Sequence, residues 1–427
     1  MKKLSIIKAL IAVATIWNVT DACAQTYYYS FDGTNKDAVQ VSYDDIYSSQ
    51  KGYGYDLVDY AKPESGKPCF FSVAIPDGNY KVTIVIGQKK KAGNTTIKAE
   101  QRRLFLEDIN TRKGEFQTYT FTINKRGPVV SDEDASKVEV RGKTLGINWD
   151  EKITFEFNGT APAVSLVKIE PATDVTTLWV VGNSTVVDQD FEPWASWGQM
   201  ITRWFDDNVS IANYAESGWR MTTLMNSKRL KQMLPRMRKG DYIFIEFGHN
   251  DMKEKQAGAG AYYNFATQLK TLVDMVREKG VTPIFVTPTQ RRNFDDNGKI
   301  RETHGDYPDA MRWVGQRENV PVIEVHDATR TLFETLGVED SKQTLVHYPA
   351  NTFPNQFTEL ADNTHFSNYG AYEISKIVVE GMKQLNLPFI KYIRSDFVDY
   401  DAAHPDDFKT FNLPRTPLYG LEKPAGN

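Results

Sequence analysis

Three things are scarce in this chain of 427 residues, and each scarcity removes a class of protein. Cysteine occurs twice, as Cys23 and Cys69. Loss of a leader holding Cys23 would leave Cys69 alone, with no intrachain disulfide and no cysteine-based metal site. Basic excess is missing as well: 51 Lys and Arg face 55 Asp and Glu, a formal net charge of −4. Such a chain has no positive field to grip a phosphate backbone, so nucleic acid is a poor partner. Long apolar runs are the third absence, since no stretch approaches the roughly 20 residues of a membrane-spanning helix. Catalytic signatures are thin too. There is no Gly-x-Ser-x-Gly elbow, no His-Glu-x-x-His pair and no Gly-rich phosphate loop ending in Lys-Ser or Lys-Thr. The six His stand at 249, 304, 326, 347, 365 and 404, none spaced three to five residues from another. A helical metal pair is therefore excluded, while ligands from distant segments stay open.

What is present points to an exported protein of more than one domain. Lys2, Lys3 and Lys8 precede the apolar run Ala9–Ile16, and Ala22-Cys23-Ala24 supplies small residues before Gln25. Residues 1–24 read as a signal peptide cleaved after Ala24, placing the mature protein in the periplasm or outside the cell. Acylation of Cys23 is the less favoured route, because Asp21 stands where small or apolar residues are needed. Apolar residues make up 41% and aromatics 12%, enough to fill real cores, and the length fits two or three domains.

The texture changes near residue 171. Before it lie short alternating runs: Cys69–Ile75, Tyr80–Ile86, Phe116–Ile123, Ile153–Phe157 and Val164–Ile169. Pro76-Asp77-Gly78-Asn79 between the first two predicts a hairpin, and the whole of 26–170 predicts a β-sandwich. After Pro171-Ala172-Thr173-Asp174 strands and helices alternate. Strands are expected at Leu178–Val181, Val209–Ala212, Tyr242–Phe247, Pro283–Thr287 and Val322–Val325. Helices are expected over Pro193–Phe205, between Thr222 and Met237, near Tyr262–Glu278, near Asp306–Arg317 and over Asn368–Leu385. This is the pattern of an α/β domain with a parallel sheet covered on both faces, occupying 175–386. Residues 388–427, rich in Pro, read as an irregular extension on the surface.

Polar clusters follow the strands. Gly182-Asn183-Ser184 comes after the first, Ser217-Gly218 after the second and Gly248-His249-Asn250-Asp251 after the third; Asp362-Asn363-Thr364-His365 precedes the last helix. In open α/β sheets ligands sit at the carboxyl ends of strands, so the clusters converge on one edge. They carry the parts of acyl transfer. A serine must lose a proton to attack a carbonyl, and an imidazole with an ordinary pKa of about 6.5 takes it near neutral pH. A carboxylate three residues before that imidazole fixes its tautomer. Backbone N–H groups of Ser184 and Gly218, with the Asn250 amide, supply donors for an oxyanion.

In order and spacing these four blocks resemble the SGNH (GDSL-type) hydrolases. Phe247-Gly248-His249-Asn250-Asp251, Thr287-Pro288-x-x-Arg291-Arg292 and Thr303-His304-Gly305-Asp306-Tyr307-Pro308 look, more narrowly, like bacterial rhamnogalacturonan acetylesterases. The β-rich segment is similar to the galactose-binding-like sandwich that precedes some members. The resemblance covers about 175–386 and implies a three-layer α/β/α SGNH domain. It implies Ser184 as nucleophile, His365 as base, Asp362 as its partner, and Ser184, Gly218 and Asn250 as oxyanion hole. It implies no metal or organic cofactor, and an acetylated pectic polysaccharide as substrate. Asn183 departs from the Asp usual before the nucleophile, which puts the local hydrogen bonding in question.

Substrate contacts are expected from Arg291 and Arg292, whose forks suit uronate carboxylates, unless they pair with Asp295 or Asp296. Trp194 and Trp219 offer indole faces to a sugar, whereas Trp197 reads as core. His304 and Tyr307 are expected at the cleft, and His249 as loop support. Two further readings stay open: the same chemistry on acetylated xylan or a small ester, and a carbohydrate-binding protein that has lost activity. Oligomeric state is not legible.

Overall fold

The computed structural model describes residues 25–140 and 147–425. The expected signal peptide, with Cys23, lies outside them. In the amino-terminal half, burial along the long strand β5 (Gly78–Gly87) alternates with period two, whereas β4 (Cys69–Ala74) and β9 (Lys152–Ala161) are buried along most of their length. Along β5, Tyr80, Val82, Ile84 and Ile86 point inward while Lys81, Thr83 and Val85 do not. Ten strands form two five-stranded sheets among the described residues. One sheet holds β1 (Tyr27–Ser30), β2 (Val39–Gln40), β5, β8 (Phe116–Lys125) and β10 (Val164–Pro171). The other holds β3 (Tyr53–Asp56), β4 (Cys69–Ala74), β6 (Gly93–Ala99), β7 (Arg103–Thr111) and β9 (Lys152–Ala161). Their inner faces share one core, including Phe71, Ile84, Phe105, Phe121 and Phe155. This is a β-sandwich.

The expected hairpin across Pro76–Asn79 is not formed. β4 and β5 belong to different sheets, so that turn carries the chain over the edge of the sandwich. Turn residues signal a reversal and say nothing about which sheet the next strand joins. Cys69 is buried in β4, where burial pushes its thiol up to about 12, leaving it inert.

The second half holds a parallel sheet of β11 (Thr176–Val181), β12 (Val209–Asn213), β13 (Tyr242–Ile245), β14 (Thr282–Val286) and β15 (Val322–Ile323). Their order is β12-β11-β13-β14-β15. Numbered within the domain this is 2-1-3-4-5, whose switch point lies between β11 and β13. Alternate residues of β11 face opposite layers. Leu178 and Val180 pack on α1 (Trp197–Met200), α6 (Val325–Asp340) and α7 (Asn368–Gln384). Trp179 and Val181 join the core that contains α2 (Met221–Met225), α3 (Lys228–Arg236), α4 (Ala266–Arg277) and α5 (Tyr307–Glu318). Two helical layers on one sheet make the three-layer α/β/α arrangement. α6 was not expected from the sequence. A short antiparallel pair, β16 (Leu345–Tyr348) and β17 (Leu360–Phe366), precedes α7.

The halves share a buried seam. Asn79 donates to Thr177 Oγ1 and accepts from Ser210 Oγ, at 2.9 and 2.8 Å, covering the edge strand β12 from the sandwich side. The carboxyl-terminal segment also enters the seam. Thr416 and Leu418 are fully buried. Thr416 Oγ1 takes a bond from Lys98 at 2.8 Å and gives one to Glu156 at 2.7 Å, while Glu192 N donates to Leu418 O. The extension holds a short helical turn, Pro388–Tyr392, and does not simply lie on the surface; the buried partners of its polar backbone draw it inward.

Candidate active site

Ser184 follows β11 through Gly182, which must be glycine: a Cβ there would meet Val186 Cγ2 at 2.6 Å and Glu246 O at 2.9 Å. His365 lies on β17, whose Phe366 bridges Ala195 in the loop that follows Ser184. Pairing there jumps from Leu345↔Phe366 to His347↔Ala361, so residues 362–365 bulge out of the ladder. The Asp362 side chain holds the bulge, its Oδ1 accepting the N–H groups of Thr364 and His365 at 2.8 and 3.0 Å. Ser367 then caps α7 by accepting Gly370 N–H at 3.1 Å. This aims the ring: His365 Nδ1 lies 2.8 Å from Asp362 Oδ2, and Nε2 lies 2.9 Å from Ser184 Oγ. Burial pushes the Asp362 carboxyl up, but bonds from the His365 ring and the two N–H groups outweigh it and hold it at about 2. Lys423 Nζ sits 3.3 Å from the same Oδ2.

The remaining blocks gather beside this line. Gly218 turns the loop after β12 at φ +76, a left-handed conformation suited to glycine. Asp251 ties that loop to the one after β13, since its carboxylate accepts Met221 N–H at 2.7 Å and Gly248 N–H at 2.9 Å. Asn250 spends one amide hydrogen on Trp219 O at 3.1 Å, leaving the other. The structure thus brings together Ser184, His365 and Asp362, and sets Gly218 and Asn250 on adjoining loops.

Asn183 has a definite task. Its Oδ1 accepts from Thr185 N and lies 2.9 Å from Thr185 Oγ1, which is also 2.6 Å from Glu246 Oε1. One hydroxyl hydrogen cannot serve two acceptors. The Thr185 hydroxyl therefore donates to one of them at a time, and burial pushes the Glu246 carboxyl up to about 7 against bonds from Thr185 and Trp197. Asn183 Nδ2 remains buried without a partner.

The expected substrate contacts fare differently. Arg292 is spent inside the protein: it donates to Ser341 Oγ at 2.9 Å, Asn363 Oδ1 at 3.0 Å and Val338 O, and so braces the bulge rather than facing a ligand. Arg291 donates to His249 O at 2.9 Å and to Thr303. Neither pairs with Asp295 or Asp296. Trp219 is buried under the Arg229 guanidinium, Tyr307 bonds Asp251 O, and His304 is buried, so these three stand behind the site. Trp197 is core, as expected, with its N–H on Glu246. Trp194 faces the triad instead, edge-on to His365 at 5.8 Å and 87°. It borders a cavity of about 430 Å³ with Gln189, Glu216, Ser217 and residues 419–425. A larger cavity of about 830 Å³ lies among Tyr27, Tyr29 and Tyr53 of the sandwich, away from this chemistry.

Among the described residues, Glu302, His304 and His326 bring three potential ligand atoms within 4.8 Å of one another. Those atoms already have partners. His326 bonds Pro288 O and Glu302, His304 bonds His249 at 2.9 Å, and Arg330 lies 3.1 Å from the same Glu302 oxygen. With Arg291 3.4 Å from His304 as well, the surroundings favour a hydrogen-bonded brace over a cation. His249 belongs to this brace, linked to Thr289 at 3.0 Å, and burial holds its ring well below the usual histidine range.

Residues 180–372 match the GDSL-like lipase/acylhydrolase family. A rhamnogalacturonan acetylesterase of Bacillus subtilis (strain 168) is 40% identical over 220 residues, which are 51% of this chain and 94% of that relative. The chain belongs to the GDSL-like lipase/acylhydrolase family. As a member it is a carboxylic ester hydrolase, on a parallel sheet preceded by a β-rich unit. An uncharacterized esterase of the same strain, YxiM, is 24% identical over 413 residues, 90% of this chain and 97% of the relative. The solved structure of YxiM, 20% identical, covers 85% of this chain and 99% of its own at a TM-score of 0.45. Sequence reasoning missed Glu246 and a set of arginines in the sandwich; Glu246 directly follows β13, Arg103 opens β7 and Arg126 directly follows β8, but no motif at these positions names their partners.

Proposed function

We propose that this esterase removes O-acetyl groups from a pectic polysaccharide, rhamnogalacturonan, through an acetyl-enzyme. The observation that carries the reading is the unbroken line Asp362–His365–Ser184, at 2.8 and 2.9 Å, in a chain of which 220 residues are 40% identical to a named rhamnogalacturonan acetylesterase. Ser184 Oγ attacks the acetyl carbonyl carbon while His365 Nε2 takes its proton. The oxyanion receives hydrogen bonds from Ser184 N–H, Gly218 N–H and the free hydrogen of the Asn250 amide. Collapse breaks the ester bond, and the departing sugar oxygen takes the proton from His365. Water then gives a proton to His365 and attacks the acetyl-enzyme, and acetate leaves as Ser184 recovers its proton. No step calls for a metal. Among the described residues no helix is long and apolar enough to cross a membrane. Export rests on the leader-like residues 1–24, and a mature amino terminus at Gln25, read by mass spectrometry of protein recovered outside the cytoplasm, is its test.

The test of function is acetate release from acetylated rhamnogalacturonan beside acetylated xylan, with Ser184→Ala as control. Release from the pectic polymer that vanishes in the variant is expected. Release mainly from xylan keeps the chemistry and discards the substrate, and no release from either polymer by folded protein leaves the carbohydrate-binding reading.

A further inference from the structure

We propose that the turn joining β6 to β7 of the sandwich, through Arg102 and Arg103, is a positioning device for the esterase site. It fixes the loop that carries Ser184 and the indole that flanks His365. The inference rests on the reading of these two residues as nucleophile and base. It assigns the sandwich a part in the reaction itself.

The turn is shaped for the task. Glu100 and Arg102 adopt φ +55 and +60, so the chain reverses within three residues and presents consecutive arginines to the other half of the molecule. Their targets lie on one loop, 183–196. Arg103 Nε and Arg126 Nη2 meet Asp188 Oδ2 at 3.0 and 2.9 Å, and Asn213 donates to Asp188 Oδ1 at 2.8 Å and to Val186 O at 2.7 Å. The loop is thus gripped two and four residues after Ser184. Gln199 completes the grip by bridging Gln101 O of the turn and Gln189 O, while Gln189 Nε2 donates to Ser184 O at 2.6 Å.

Arg102 works further along the loop. Its guanidinium meets Glu192 at 2.7 Å, donates to Trp194 O at 2.6 Å and reaches Asn368 Oδ1 at 3.1 Å, at the start of the helix that follows His365. Trp194 is held at its other end by Gly420 O and stands edge-on to the His365 ring. One buried fork therefore spans the serine side and the histidine side of the site. Burial pushes the Glu192 carboxyl up, and Arg102 and Lys98 bring it back below its ordinary value. What Arg102 and Arg103 hold is the 183–196 loop and the backbone of Trp194. Their effect passes through the loop and the indole, and misplacing a nucleophile by about 1 Å costs on the order of 10²-fold in rate.

The test is kinetic and uses the full chain with p-nitrophenyl acetate, an ester too small to depend on the polymer's identity. Wild-type turnover that is lost in Ser184→Ala establishes the nucleophile separately, so failure of that reading is distinguishable from failure of this one. Arg102→Met is expected to lower kcat about tenfold or more per titrated active site, with KM within about threefold. Arg102→Lys recovers part of the loss, because an ammonium stays beside Glu192 but cannot fork to Trp194 O. Adding Glu192→Gln to Arg102→Met brings little further loss, as expected of one coupled unit. A folded Arg102→Met enzyme with wild-type kcat per titrated site overturns the proposal, for it shows that the turn only holds the halves together. If Arg102→Met does not fold, Arg102→Lys decides alone: a severalfold fall in kcat supports positioning, and a wild-type value overturns it.

Discussion

Ser184 and His365 meet at 2.9 Å, yet the chain places them by opposite means. His365 is aimed locally. Asp362, three residues away, both bends the backbone and orients the ring, and Arg292 clasps Asn363 between them. Ser184 is placed from a distance: the carboxylate four residues beyond it is held by Arg103, which opens β7, and Arg126, which directly follows β8, both in the sandwich. A local device survives as long as its own few residues do. A distant one depends on the packing of two units, and breaking a buried ion pair by removing one partner costs about 3–5 kcal/mol.

The sharpest break in this contrast is Asp362→Asn, which leaves the bulge its amide oxygen but favours the wrong tautomer. A fall of about 10³- to 10⁴-fold in kcat on p-nitrophenyl acetate is expected, with thermal stability little changed. Asn250→Ala comes next, at about 10²- to 10³-fold in kcat, since it removes one oxyanion donor and touches neither device. Arg292→Met tests whether the local side needs its clasp. It strands the acceptors on Asn363 and Val338, so a loss of about 1–3 kcal/mol in unfolding free energy is expected, read by denaturant titration, with a smaller loss of kcat than either catalytic variant. The gentlest test concerns pH. Glu246 has a folded pKa raised to about 7 from an ordinary value of about 4.3, so the fold favours its protonated form. Its contribution is present in full below the unfolded value and is lost as pH rises through about 7. Wild type should therefore lose more stability than Glu246→Gln between pH 4.5 and 7.5, and parallel curves would overturn the assignment. Asp362 has the reverse sign, stabilising above about 3.9 and losing that contribution as pH falls through about 2.

The same contrast explains what could be read in advance. Asp362-x-x-His365 was legible because its geometry is contained in four residues. Gly182-Asn183-Ser184 and Gly248-His249-Asn250 were legible because strand ends in a parallel sheet share an edge, and the five strands lie within a few residues of their expected positions. Arg102, Arg103 and Arg126 were not, because their meaning lies in Asp188 and Glu192, more than 60 positions away, and periodicity carries no such pairing. Arg292 misled for a related reason: its fork suits a uronate, but it suits Asn363 and Ser341 equally well. The turn at Pro76–Asn79 promised a hairpin and instead changes sheets, since local chemistry fixes a bend and long-range packing chooses the partner strand.

The segment that threads the seam has a consequence for how the molecule is made. Thr416 bonds Lys98, Glu156 and Glu192 across separations of 224 to 318 positions. Loops of that length close late, because the entropy of bringing their ends together must be met before any contact rewards it. A ribosome releases residues 414–420 long after both sheet systems have emerged. Until that stretch seats itself, Glu192 lacks one of its buried donors and Trp194 lacks the acceptor for its indole N–H. The nascent chain therefore carries its serine and histidine for some time before the wall beside them is complete.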